Sequence, residues 1–300
     1  MTELIPAHGV LPRSRPLALL AGVRPRQWVK NGLVLAAPFA AGEITDRHVL
    51  TSALVAAVTF CCCASAVYLI NDVADVEEDR AHPTKRLRPV AAGELSPGLA
   101  VGTAILLAVT GLALAALWSV ALAGVLLTYL VLQIAYALSL RDYRVIDMCV
   151  VASGFLLRAI AGGVSAGLPL SQWFLLVAGF GSLFMVAGKR YGELHAAGGD
   201  NATRRSLMDY TEGYLRFVFG IAAGTTIMSY SLWAFEDGAA DSLPWRTISI
   251  APFVIGLMRY AVDIDAGRAG EPEEIVFGDR VLQVVALLWL VLVALAALHV

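Results

Sequence analysis

The chain has 300 residues, 58% of them apolar and only 15% charged, with a mean hydropathy of +0.72. Soluble domains run at about 45–50% apolar and about 25% charged, so a water-soluble fold could not hide this much apolar surface. The composition points to an all-α, polytopic membrane protein, with lipid as the solvent for its outer faces. The net charge of −2 carries no signal of its own, and no nucleic-acid partner is expected.

Residues 1–26 form an arm rich in arginine, with Arg13, Arg15, Arg24 and Arg26. Its apolar run from Leu17 to Val23 is interrupted early and is not read as a signal peptide. The arm is expected to be cytosolic and partly disordered, and 27–300 to be a single transmembrane helical domain. Apolar runs of spanning length then predict about nine helices, near 27–42, 48–71, 98–117, 119–138, 146–167, 170–188, 213–235, 245–262 and 280–299. The first is short and holds Pro38. Basic residues gather in alternate junctions: Lys85, Arg86 and Arg88; Arg141 and Arg144; Lys189, Arg190, Arg204 and Arg205. The opposite junctions hold only Arg47 and Arg246. The excess of Lys and Arg sets the N-terminus and the long loops on the cytoplasmic side, in a plasma (inner) membrane. Cys61, Cys62, Cys63 and Cys149 all lie in apolar stretches and are read as small buried hydrophobes.

The chemistry concentrates after the second predicted span. The stretch reads Tyr68, Asn71, Asp72, Asp75, Glu77, Glu78, Asp79. On a continuing helix, Asn71, Asp75 and Asp79 recur every four residues and stack along one face. Oxygen donors on one face suit Mg²⁺, which needs one or two carboxylates plus substrate phosphates. A solvated acidic helix end is the bland alternative, but these acids leave an apolar span and repel one another. Lys85, Arg86 and Arg88 follow at once. Cations beside carboxylates make a mixed site, in which metal and basic side chains together neutralise a diphosphate. Such a site stabilises a departing pyrophosphate.

Asn71-Asp-x-x-Asp75-x-x-x-Asp79, followed by Lys85-Arg-x-Arg88-Pro-x-x-x-Gly93-Glu-Leu-Ser96, resembles the first signature of the UbiA-type intramembrane prenyltransferases. The resemblance implies a helical bundle around a cavity opening to the cytoplasm, Mg²⁺ dependence and a polyprenyl substrate. Most members carry a second Asp-rich motif after the sixth helix. Here that place reads Lys189-Arg190-Tyr191-Gly-Glu193-Leu-His195, and the charge has mostly changed sign. More cations and fewer acids suit a sugar with both a diphosphate and a separate phosphate. The opening Arg24-Pro-Arg26-Gln27-Trp28-Val-Lys30-Asn31, the Tyr136-to-Asp147 stretch and Lys189-Arg190 are similar to the branch that moves 5-phosphoribose from PRPP to decaprenyl phosphate. Its products feed the arabinan of mycobacterial-type cell walls.

On that resemblance Asn71 and Asp75 bind Mg²⁺, with Asp72 and Asp79 in support, and Asp72, Asp75 and Asp79 form the catalytic set. Lys85, Arg86 and Arg88 meet the diphosphate, Lys30, Lys189 and Arg190 the sugar's phosphates, and Tyr68 and Tyr191 a phosphate or ribose. As isolated residues, the tyrosines fit equally an interfacial aromatic belt. Arg158 falls about eleven residues into a span, roughly 16 Å along a helix, where a charge faces a cavity or a partner. With Arg141 it is expected to attract the lipid phosphate, and Asp147 is an alternative neutraliser of either. Gly198, Gly199 and Arg204-Arg205 suggest a partly ordered lid. The expected partners are PRPP, a polyprenyl phosphate and the membrane, with a homo-oligomer allowed. Two other readings stay open: a UbiA-type transfer of a prenyl group from a diphosphate to an aromatic acceptor, and a membrane transporter.

Overall fold

The computed structural model describes residues 13–196, 210–237, 243–266, 275 and 278–297. Residues 1–12 of the arm, and the expected lid at Gly198, Gly199 and Arg204-Arg205, lie outside them.

Among the described residues, eight helices are long and apolar enough to cross a membrane. They are α3 (Arg47–Ala74), α5 (Pro97–Trp118), α6 (Val120–Leu138), α7 (Ile146–Ala166), α8 (Gln172–Ala196), α9 (Glu212–Asp237), α10 (Trp245–Asp265) and α11 (Arg280–Ala297). Short elements complete the order: α1 (Arg15–Gly22), α2 (Ala36–Ala40) and α4 (Val76–Ala81). Helix starts are set by local capping. Asp46 accepts from the Val49 amide at 2.9 Å, and Ser96 accepts from the Leu99 amide at 3.4 Å with Pro97 in the first turn. Ser119 ends α5 and caps α6, accepting from the Leu122 amide at 3.4 Å, so one residue joins that hairpin.

The predicted first span, 27–42, is not one helix. It is an irregular 3₁₀ stretch (Pro25–Leu35) followed by α2. The physical reason is local. Pro25 and Pro38 withhold amide donors, and Gly32 weakens what lies between. This entry segment still enters the bundle, because α7 offers it bare backbone. A Cβ on Gly162 would lie 1.7 Å from the Val34 carbonyl oxygen. Near the end of the arm, α1 packs against α3.

The core has two main apolar clusters. One joins α3, α5, α6 and α7 around Phe60, Leu122, Leu126 and Tyr129. The other joins α7 to α11 around Met148, Phe184, Tyr191, Leu215 and Tyr260. The cysteine expectation holds in part: Cys63 is buried, Cys61 and Cys62 are half-buried, but Cys149 is exposed, because it faces out of α7.

Gly162→Ala should destabilise the protein by on the order of 3 kcal/mol, since its methyl would displace backbone rather than a flexible side chain. Gly102→Ala, where an added Cβ meets nothing within 4 Å, should leave the melting temperature in detergent unchanged or raised.

Candidate active site

The carboxylate-rich stretch does not continue as one helix. α3 ends at Ala74, Asp75 turns the chain with φ −97° and ψ 11°, and α4 begins at Val76. The i→i+4 ladder nonetheless survives the bend, with the Asp75 amide donating to the Asn71 carbonyl at 2.9 Å and the Asp79 amide to the Asp75 carbonyl at 2.8 Å. Asn71, Asp72, Asp75 and Asp79 therefore stay together at one end of the bundle, but their side chains divide between two arginine clusters.

The first cluster is nearly buried. Asp72 is 1% exposed and Asp79 1%. Arg88 reaches Asp79 at 2.7 Å and Asp72 at 3.5 Å. Arg24 also donates to Asp72. Arg24 is placed by an unusual backbone: its φ of 52° and ψ of 63° break the chain between α1 and the entry segment. Its guanidinium then sits 5.1 Å from the Tyr68 ring centre. The Trp28 indole donates to Ser65 Oγ, which donates to the Val23 carbonyl, each at 3.0 Å, so the entry segment is pinned to α3 beside Arg24. A cavity of about 390 Å³ opens here, lined by Arg13, Arg24, Asp72, Thr84, Lys85 and Arg88.

The second cluster brings Arg141, on the 3₁₀ turn Leu140–Asp142, to Asp75 and, at 3.4 Å, to Glu78. Desolvation works against the Arg141 charge. The hydrogen bond and charge of Asp75, with Glu78 and Asp142, outweigh it and raise the Arg141 pKa above the usual arginine value.

Arg158 sits in α7 about 18 Å along the axis from Ile146, so it does not share a site with Arg141. Its guanidinium is 5% exposed. It donates to Asn31 Oδ1 at 2.8 Å, the Gly154 carbonyl at 2.6 Å and the Tyr129 hydroxyl at 3.2 Å. The rings of Tyr129, Phe60 and Phe155 surround it at 5.0, 5.3 and 5.9 Å. No carboxylate pairs with it among the described residues, and Asp147 neutralises neither arginine named for it. Asp147 faces Arg190 instead, at 3.5 Å. Arg190 is itself 3% exposed and donates to Glu193 at 2.9 Å and Tyr136 at 3.4 Å. Tyr191 is buried; it donates to Asp265 at 3.2 Å and accepts from Arg216 at 2.7 Å. Lys30 and Lys189 are half-buried on the entry segment and α8, and Arg86 is exposed.

Arg24 is the residue that motif reading left without a role. The Arg24-Pro-Arg26 sequence marks it only as a basic residue; the left-handed backbone that delivers it to Asp72 has no sequence signal, because Arg is not a residue that favours it.

No group of three acidic, His or Cys ligands converges among the described residues. Two buried oxygens on adjacent residues, Asn71 Oδ1 and Asp72 Oδ2, nevertheless lack a hydrogen-bond partner. That donor set fits a hard divalent ion completed by substrate oxygens.

The sequence pattern described as the UbiA prenyltransferase family matches residues 32–272. The chain belongs to this family. It is 53% identical over 291 residues to a decaprenyl-phosphate phosphoribosyltransferase of Mycobacterium tuberculosis (strain ATCC 25618 / H37Rv), covering 94% of this chain and 96% of that one. It is 50% identical over 292 residues to the protein of the same name from Mycolicibacterium smegmatis, covering 93% and 92%. Its fold matches a UbiA homologue from Archaeoglobus fulgidus, solved with DMAPP and Mg²⁺, with a TM-score of 0.73, 17% identity and coverage of 92% and 97%. This UbiA-family chain is a multi-pass membrane protein.

Arg158→Lys keeps the charge but cannot reach Asn31, Gly154 and Tyr129 together. It should lower stability by about 1–3 kcal/mol, read as a lower melting temperature in detergent, while Arg86→Lys leaves it unchanged.

Proposed function

We propose that this UbiA-family enzyme transfers 5-phosphoribose from PRPP to decaprenyl phosphate and releases pyrophosphate, supplying a precursor of cell-wall arabinan. The observation that carries this reading is the 53% identity to a decaprenyl-phosphate phosphoribosyltransferase across nearly the whole of both chains. The site's charge supports it. Where a prenyl-diphosphate enzyme has a second acidic motif, this chain has Lys189 and Arg190, and arginines from three separate places crowd the first.

The active site lies on the cytoplasmic side of the plasma membrane in this reading, following the basic loops. Asn71 and Asp75, with Asp72 and Asp79 in support, would hold Mg²⁺. When bound, the ion neutralises charge on the departing pyrophosphate. Arg24, Arg88 and Arg141 already lie on carboxylates. Substrate phosphate offers them a second anionic partner, and with Lys85 and Arg86 they hold the diphosphate. Lys30, Lys189, Tyr68 and Tyr191 surround the sugar and its 5-phosphate, while the buried Arg190 braces that side from within. The C1–O bond to pyrophosphate breaks as a lipid phosphate oxygen forms a new bond to C1 from the opposite face, with inversion. The nucleophile is already anionic, so no general base is required, and neither His82 nor His195 is assigned one.

An apolar cavity of about 360 Å³ lies deeper, lined by Phe39, Phe155, Phe174, Trp233, Phe253 and Trp289 among others. It has the chemistry for a polyprenyl chain. Arg158 adjoins its Phe155 wall, yet its donors are turned to Asn31, Gly154 and Tyr129. We therefore assign Arg158 to holding the entry segment instead of the lipid phosphate.

The second reading, prenyl transfer to an aromatic acceptor, draws on the fold shared with a homologue bound to DMAPP. Purified protein with Mg²⁺ separates the two. One reaction receives PRPP and decaprenyl phosphate, the other decaprenyl diphosphate and 4-hydroxybenzoate, and mass spectrometry reads the lipids. Phosphoribosylated lipid from the first alone is expected; prenylated aromatic from the second alone would overturn the phosphoribose reading. Asp75→Ala should reduce turnover by a hundredfold or more with melting little changed. Substantial Mg²⁺-dependent activity in that variant would remove Asp75 from the metal site.

A further inference from the structure

The backbone between Arg141 and α7 makes a turn that β-branched residues avoid. Val145 has φ 67° and ψ −49°, and the Ile146 amide donates to the Arg144 carbonyl at 2.7 Å. This is a three-residue γ-turn of the positive-φ kind, rare and strained where the central residue carries a Cβ. Such strain persists only where the surroundings over-determine it.

One side chain provides that constraint. The Val145 amide donates to the Tyr210 hydroxyl at 2.5 Å, and the hydroxyl donates to Asp147 Oδ1 at 2.6 Å. Tyr210 arrives from far along the chain, just ahead of α9. Its ring is 5% exposed, shares an apolar cluster with Met148, Tyr191 and Leu194, and stacks on Tyr214 at 5.7 Å. Burial, then the hydrogen bond to Asp147, pushes the phenol above the usual tyrosine range, so it remains a donor. The other Asp147 oxygen faces Arg190 Nε at 3.5 Å. Upstream, the Asp147 amide bonds the Tyr143 carbonyl at 3.0 Å and the Tyr143 amide bonds the Leu140 carbonyl at 3.3 Å. The path from Tyr210 to the turn carrying Arg141 is therefore continuous.

We propose that Tyr210 is a positioning residue: its hydroxyl latches the strained turn at Val145 and thereby sets Arg141 against Asp75 for diphosphate binding. The latch rests on the diphosphate-site reading above. The latch also connects the buried Arg190, remote in sequence, with the turn that carries Arg141. Asp147 links the two, accepting from Tyr210 with one oxygen and facing Arg190 with the other.

The test uses the full-length protein in detergent, titrated with Mg²⁺ and inorganic pyrophosphate by calorimetry. Failure of the wild type to bind would overturn the diphosphate site itself. If the wild type binds, Tyr210→Phe should weaken binding about tenfold, and Arg141→Ala by a similar factor. The double variant should be no weaker than Arg141→Ala, because both act through one guanidinium; independent, multiplying losses would overturn the latch, as would wild-type affinity in Tyr210→Phe. Adding Val145→Gly to Tyr210→Phe should recover most of the loss, since glycine takes positive φ without strain; no recovery counts against the proposal. In turnover assays Tyr210→Phe should raise the KM for PRPP and leave that for the lipid within about twofold. Hydrogen exchange on the wild type keeps the idea testable if Tyr210→Phe does not fold. The Val145 amide should exchange slowly although it precedes the helix, and rapid exchange would overturn the latch.

Discussion

Pairing of arginine with carboxylate at one end of the bundle is the constraint on which the rest depends. Asp72 and Asp79 are buried, and burying a carboxylate without a partner is costly. Arg24 and Arg88 make their burial tolerable, and Arg141 pairs with the half-buried Asp75. These cations come from the arm, the loop after α4 and the turn before α7. Meeting the charge requirement of one helix end therefore ties four stretches of chain together. Buried ion pairs are weak sources of net stability, because desolvation offsets much of their attraction. Their value here is geometric, in fixing where cationic groups stand before any substrate arrives.

The same arrangement suits catalysis. A departing pyrophosphate develops charge that preorganised donors stabilise at little reorganisation cost. Arginines held on carboxylates are already oriented, and their planar forks can pass between carboxylate and phosphate partners. At this helix end Asn71 Oδ1 and Asp72 Oδ2 are buried without a hydrogen-bond partner, which leaves acceptor capacity beside the arginines. The site is thus a set of neutralised charges that a diphosphate and a divalent ion can re-partner, instead of an empty cage of acids.

Deeper in the bundle a different economy holds. Arg158 has aromatic faces and neutral oxygens around it in place of a carboxylate. Through Asn31 it grips the entry segment, whose backbone already lies against Gly162. Asn31 in turn donates to Cys61 Sγ at 3.1 Å, so the entry segment, α3 and α7 meet at one buried point. The segment that delivers Arg24 and Lys30 to the site is consequently held from both ends, by Trp28 and Ser65 near the surface and by Arg158 within.

Much of this was legible in the sequence. Eight of the predicted spans are helices because a long apolar run in lipid has few other ways to satisfy its backbone. The Asn71–Asp79 acids and the Lys85–Arg88 cations stand together because they are neighbours in the chain. The failures share a cause. The stretch 27–42 has a spanning composition, but Pro38 and Gly32, and the bare face of α7, decide that it enters as an irregular segment. Arg158 is recognisable as an unusual charge, yet only packing decides that Asn31, Gly154 and Tyr129 are its partners. Arg24 on Asp72, Arg141 on Asp75 and Tyr210 on Val145 join residues 48, 66 and 65 positions apart. Composition and local spacing determined the class of fold and the chemistry of the site. Which cation meets which carboxylate was decided by tertiary structure, because such pairings depend on where distant backbones converge.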